Sequence, residues 1–98
     1  MPAGTEVKVD HDIEQMLQEI TDSQKMRKVV LFNDEHHSFD EAVDQVKKAV
    51  KCSVGKAMQI TLLAHSQGQA VCFEGPLPEC VKVQNILQEI DLATDIIE

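Results

Sequence analysis

Residues 28–51 read KVVLFNDEHHSFDEAVDQVKKAVK, and a change of rhythm inside this stretch decides the fold class. Lys28 to Phe32 is a continuous apolar run, with basic residues before it and the turn signal Asn33-Asp34 after it, which is the pattern of a buried strand. From Ser38 the period becomes helical. Phe39, Ala42, Val43, Val46, Ala49 and Val50 fall on one side of a helix that runs to about Lys51. Ser38 and Glu41 form a capping box, in which the serine hydroxyl and the glutamate carboxylate each satisfy an orphan amide of the first turn. A helix with one continuous apolar stripe has a core to face.

Working outward, a second helix is predicted after Ser53, with Val54, Ala57, Ile60, Thr61 and Ala64 on one side and Gly68 as its left-handed stop. His65 lies one turn beyond Thr61 on nearly the same face. Gln69 to Glu74 reads as a strand through Ala70, Val71, Cys72 and Phe73, and Gly75-Pro76-Leu77-Pro78 reads as the break after it, with Pro78 suited to a first helical position. Val83, Ile86, Leu87 and Ile90 mark a third helix, and Leu92 to Ile97 a last short strand. The order strand, helix, helix, strand, helix, strand predicts an α+β sandwich: a three-stranded sheet whose one apolar face is covered by three helices. Residues 1–24 read as a flexible extension, with a short amphipathic helix from Asp10 through Ile13, Met16, Leu17 and Ile20, and residues 25–98 as the folded domain.

Ninety-eight residues with 43% apolar content suit one core. The net charge of −8 repels phosphate backbones and anionic headgroups, which removes nucleic acid and membrane surfaces from the expected partners and leaves protein. No apolar run is long enough to span a bilayer, and Met1 to Asp22 lacks the basic and apolar regions of a signal peptide, so a cytoplasmic location is expected. Cys52, Cys72 and Cys80 are odd in number and have no CxxC spacing, which argues for reduced thiols.

Polar groups concentrate in Asn33-Asp34-Glu35-His36-His37 and at His65, and a strand-end loop facing a helical histidine forms one pocket rim. Such a rim suits a primary ammonium. Its three donors match the Asn33 carbonyl, the Asp34 carboxylate and a neutral His65 nitrogen. Two other readings are weaker. A metal site from His36, His37 and His65 with Asp34 or Glu35 lacks any metal-ligand spacing, so no metal and no cofactor is expected. A hydrolase pairing of Ser66 with His65 fails because adjacent helical residues point about 100° apart.

The residues that carry these signals resemble a known family. Lys28-Val29-Val30-Leu31-Phe32-Asn33-Asp34-Glu35 is similar to the ClpS strand and its Asn-Asp-Asp turn, and His65-Ser66-Gln67-Gly68-Gln69-Ala70-Val71-Cys72 to the family's histidine, glycine and Ala-hydrophobic-Cys strand. The resemblance implies a βααβαβ sandwich like the C-terminal domain of the ribosomal stalk protein, and a non-enzymatic adaptor for the N-terminal domain of a ClpA- or ClpC-type AAA+ ATPase. Substrates would be proteins whose N-degron begins with Leu, Phe, Tyr or Trp. By position, Asn33, Asp34 and His65 would hold the α-amino group, and Phe39, Ala42, Thr61, Leu92 and Ala93 would line the pocket for the first side chain. Glu79 and Lys82 would meet the ATPase. This chain departs from the pattern at Glu35, at His36-His37-Ser38, which stand in place of an aromatic, a threonine and a proline, and at Phe39 and Thr61, which replace two pocket methionines. An interaction module of the same fold that regulates a Clp ATPase or another partner without degron recognition is the alternative.

Overall fold

A computed structural model describes residues 24–98 together with Gln15 and Leu17. The extension expected over residues 1–24 and the helix expected from Asp10 therefore lie outside the described residues, apart from Gln15 and Leu17, which have helical backbone, and Gln24. The observed order is β1 (Met26–Phe32), α1 (Phe39–Val50), α2 (Val54–Gln67), β2 (Gln69–Pro76), α3 (Leu77–Leu87), a 3-10 turn (Gln88–Ile90) and β3 (Thr94–Ile97). It is the α+β sandwich read from the sequence.

β1 is the central strand of a three-stranded sheet of order β2-β1-β3, antiparallel to both neighbours. Its position explains its composition. Val29, Val30 and Leu31 are all buried because the strand is flanked on both edges; Val29 and Leu31 enter the core, and Val30 between them points to the opposite face of the pleat. Pairing with β2 shifts register between Val29 and Val30, where Val29 opposes Phe73 and Val30 opposes Val71. Cys72 is the extra residue of that bulge, and its side chain is buried in the core.

α1 packs on α2 and α3, while α2 and α3 cover the sheet. Val43, Val46, Ala57, Ile60, Val83 and Leu87 join Val29 and Leu31 in one apolar cluster. Ser38 and Glu41 form the expected capping box: the Ser38 hydroxyl accepts from the Glu41 amide at 3.2 Å, and the Glu41 carboxylate accepts from the Ser38 amide at 3.2 Å. Gly68 stops α2 with φ at 89°, a conformation that costs a side-chain-bearing residue steric strain. α1 stops without glycine, on Lys51 at φ 57°, whose amide still bonds the Lys47 carbonyl at 2.9 Å.

Five boundaries differ from the sequence reading: β1 begins at Met26 and not Lys28, α3 ends at Leu87 and leaves Ile90 to the 3-10 turn, and three others shift for a visible reason. β2 does not break at Gly75 but continues through Pro76, opposite Met26; an edge strand tolerates proline because it needs no donor on its outer side. α3 accordingly starts at Leu77 with Pro76 as its cap, so Pro78 takes the second helical position, not the first. The last strand begins at Thr94 because Leu92 is drawn into the core, 2% exposed, after a left-handed turn at Asp91. Among the described residues, no helix is long and apolar enough to cross a membrane.

Candidate functional site

The end of β1 and the end of α2 lie side by side, and the chain between β1 and α1 is pinned across them. The Phe32 amide donates to the Ala93 carbonyl at 3.0 Å, and the Asn33 amide donates to the Gly68 carbonyl at 2.9 Å. These two bonds tie the polar turn to the loop before β3 on one side and to the stop of α2 on the other. They bring Asn33 against His65, 32 residues away in sequence, with His65 Nδ1 3.3 Å from Asn33 Oδ1.

Behind this rim is a cavity of about 490 Å³ whose walls include Leu31, Asn33, Asp34, Phe39, Ala42, Thr61, Ala64, His65 and Leu92. Seven of the sequence-predicted residues meet there: Asn33, Asp34 and His65 at the polar mouth, and Phe39, Ala42, Thr61 and Leu92 on the walls. Ala93 is not with them. It lies by a shallower depression of about 420 Å³, with Asn33, Asp34, Glu35, His36 and Asp91. Ala42, Thr61 and Leu92 are buried, whereas Phe39 is 41% exposed and stands at the edge of the opening. The Thr61 hydroxyl donates to the Ala57 carbonyl of its own helix at 2.8 Å, so the hydroxyl on that wall is already engaged.

Asp34 is the most constrained polar group of the mouth. Its Oδ2 accepts from the His37 amide at 2.8 Å and lies 2.8 Å from His37 Nδ1, with the aspartate side chain 12% exposed and the imidazole 20%. Burial pushes the carboxyl pKa up, but the side-chain and backbone hydrogen bonds from His37 and the backbone bond from His36 outweigh it and hold the carboxyl below its ordinary range. The sequence reading placed His37 in the polar turn and did not pair it with Asp34. The signal was present as an aspartate followed three residues later by a group with an amide and a ring donor, the spacing of an Asx turn.

Ser66 Oγ donates to the Leu63 carbonyl at 3.4 Å and not to His65. Among the described residues, no group of three or more His, Cys, Asp or Glu side chains is placed to hold a metal ion. Glu79 and Lys82 are neighbours on the exposed side of α3, 3.7 Å apart, beside a separate depression of about 370 Å³ that also involves Lys51, Phe73 and Ile86.

Comparison with known proteins follows the same residues. Residues 22–93 match the sequence profile of the family described as "ATP-dependent Clp protease adaptor protein ClpS". The chain belongs to the ClpS family. It is 35% identical over 63 residues to the ATP-dependent Clp protease adapter protein ClpS of Cronobacter sakazakii, which covers 64% of this chain and 59% of that protein. It is also 33% identical over 69 residues to the E3 ubiquitin-protein ligase UBR1 of Drosophila melanogaster, covering 69% of this chain but 4% of the ligase. The chain thus spans about three-fifths of the bacterial ClpS and a small segment of the ligase. The structure of Agrobacterium tumefaciens ClpS2 bound to L-phenylalaninamide superposes with a TM-score of 0.66 at 17% identity, over 74% of this chain and 98% of that one, which shows that the ClpS fold is shared.

Proposed function

We propose that this protein is an adaptor that binds other proteins by a free N-terminus bearing a bulky apolar first residue and delivers them to a Clp AAA+ unfoldase-protease. The observation that carries this reading is the division of one cavity into a polar mouth, Asn33, Asp34 and His65, and apolar walls, Ala42, Ala64 and Leu92. An N-terminal residue has the matching division, an ammonium with three donors attached to a side chain that gains by leaving water. The volume of about 490 Å³ suits a single large residue. A neighbour solved with L-phenylalaninamide, an amino-acid amide with a free amine, supports the same ligand class. The two kinds of relative, a protease adapter and a ubiquitin ligase, share no enzymology, so a common segment fits a recognition module better than a catalytic one.

Glu79 and Lys82, exposed together on α3 and away from the cavity, are the proposed contact with the N-terminal domain of the ATPase. One observation favours the alternative of an interaction module without degron recognition: Asp34 Oδ2 is already occupied by His37. The deciding experiment is a fluorescence titration with peptides that differ only in their first residue, each with a free and an acetylated N-terminus. Free peptides beginning with Leu, Phe, Tyr or Trp are expected to bind, and acetylation is expected to abolish binding. Equal binding of free and acetylated peptides, or none of either, rejects the adaptor reading in favour of the alternative.

A further inference from the structure

The His37–Asp34 contact is more than an Asx turn requires, since the backbone amide of His37 alone closes that turn on Oδ2. The ring adds a second bond to the same oxygen at 2.8 Å. A carboxylate is an acceptor only, so the Nδ1 atom facing it carries the proton, and the bond is charge-assisted. Both side chains are largely shielded from water, and both line the cavity at whose mouth the ammonium is proposed to sit. With Oδ2 held by two donors from one residue, rotation about the Asp34 side-chain bonds is arrested, and Oδ1, which meets no side-chain donor among the described residues, stays in one place.

We infer that His37 is a positioning residue for ligand capture: its ring holds the Asp34 carboxylate so that Oδ1 remains presented to the ligand's ammonium. The inference rests on the amine-binding reading above and adds to it the residue that pre-organises the anion. An aspartate free to turn at the end of a strand would have to be ordered at the moment of binding, and that cost falls on affinity. The lowered pKa of Asp34 accords with this, because the same bonds that fix the carboxylate keep it ionised. His37 also explains how Asp34 can be occupied and still serve, since both His37 bonds fall on Oδ2 and no side-chain donor among the described residues takes Oδ1.

The test is a series of variants of the full chain titrated with a Phe-first peptide, free and acetylated. His37→Ala is expected to weaken the free peptide at least fivefold and to leave the acetylated one within twofold. His37→Asn places a side-chain amide donor at the same distance from the backbone as Nδ1 and should restore binding to within twofold of wild type. His37→Gln displaces the donor by one methylene and should not. In an Asp34→Ala background, His37→Ala should add less than a twofold loss, because its effect runs through the carboxylate. Thermal unfolding of each variant controls for the fold, and the Asn–Gln comparison reads the donor's position even if the alanine variant unfolds. Wild-type affinity in His37→Ala, no rescue by His37→Asn, or a full second loss on the Asp34→Ala background overturns the inference while leaving the amine reading intact. A wild type that binds free and acetylated peptide alike overturns both.

Discussion

Asp34→Asn isolates the charge at the cavity mouth. Asparagine keeps a carbonyl oxygen that accepts from the His37 amide, now 2.8 Å from Asp34 Oδ2, so the turn retains its closing bond while the anion is lost. A hydrogen bond to a charged group contributes about 1.5–3 kcal/mol, and an exposed ion pair contributes less than about 1 kcal/mol. Asp34 lies nearer the first case, because its side chain is 12% exposed and sits in a walled cavity. Taking about 2 kcal/mol, the dissociation constant for a free Phe-first peptide should rise by about 30-fold. Anisotropy titration at neutral pH measures this directly, and an acetylated peptide, which lacks the ammonium, should change by less than about twofold. A loss below about threefold, or an equal loss for both peptides, refutes the assignment of Asp34 to the amine. Acid unfolding supplies a second signature. The folded pKa of Asp34 is below its ordinary 3.8, so the stability contributed by its ionised form is present above pH 3.8 and is lost as pH falls through the lower folded value. The stability gap between wild type and the Asp34→Asn variant should therefore close below about pH 3.8.

Phe39 and Thr61 form rigid or already satisfied parts of the cavity lining, so wild type should show at least a tenfold spread, about 1.4 kcal/mol, among peptides beginning with Leu, Phe, Tyr and Trp. The Phe39→Met, Thr61→Met double variant should narrow that spread, methionine being able to adapt its shape; an unchanged spread in parallel titrations refutes this. Ser38→Ala removes the acceptor for the Glu41 amide and should lower stability by about 1 kcal/mol, read as a fall in Tm of about 4–8 °C. Of the three thiols, half-buried Cys52 should react with a disulfide reagent in native buffer, while buried Cys72 and Cys80 should wait for denaturant. Burial pushes the Cys72 thiol from 9.0 up to about 12, so the unfolded chain loses that proton first. Stability should be flat with respect to this group below pH 9 and fall as pH rises toward 12, and Cys72→Ala should flatten that limb in urea titrations.

Local patterns were sufficient to specify the elements and their order. The apolar run Val29-Val30-Leu31, the Ser38–Glu41 capping box and the Gly68 stop act over a few residues each, and a chain that carries them has few other ways to satisfy its backbone. They failed where a local signal met a tertiary one. Gly75 and Pro76 are breakers in isolation, yet the free edge of β2 lets the strand run through them; Leu92 has the composition of a strand, but the core takes its side chain first.

Much of the candidate site was also legible, because Asn33, Asp34 and His65 belong to two sequence motifs whose spacing is visible in one dimension. The sequence reading expected them to share one rim, but the backbone pinning behind that convergence was not legible. It depends on the Asn33 amide meeting the Gly68 carbonyl and the Phe32 amide meeting the Ala93 carbonyl, bonds between segments with no shared local pattern. The same holds for the details that set chemistry: Ala93 lying beside the cavity and not in it, the Thr61 hydroxyl turned to its own helix, and the His37 ring closed on Asp34. Sequence alone determined what each segment is and which polar groups are available, since backbone preference and side-chain periodicity are short-range. Only the tertiary structure decided through which bonds and at what distances those groups meet, because hydrogen bonds and burial across the chain depend on distances that no spacing in sequence encodes.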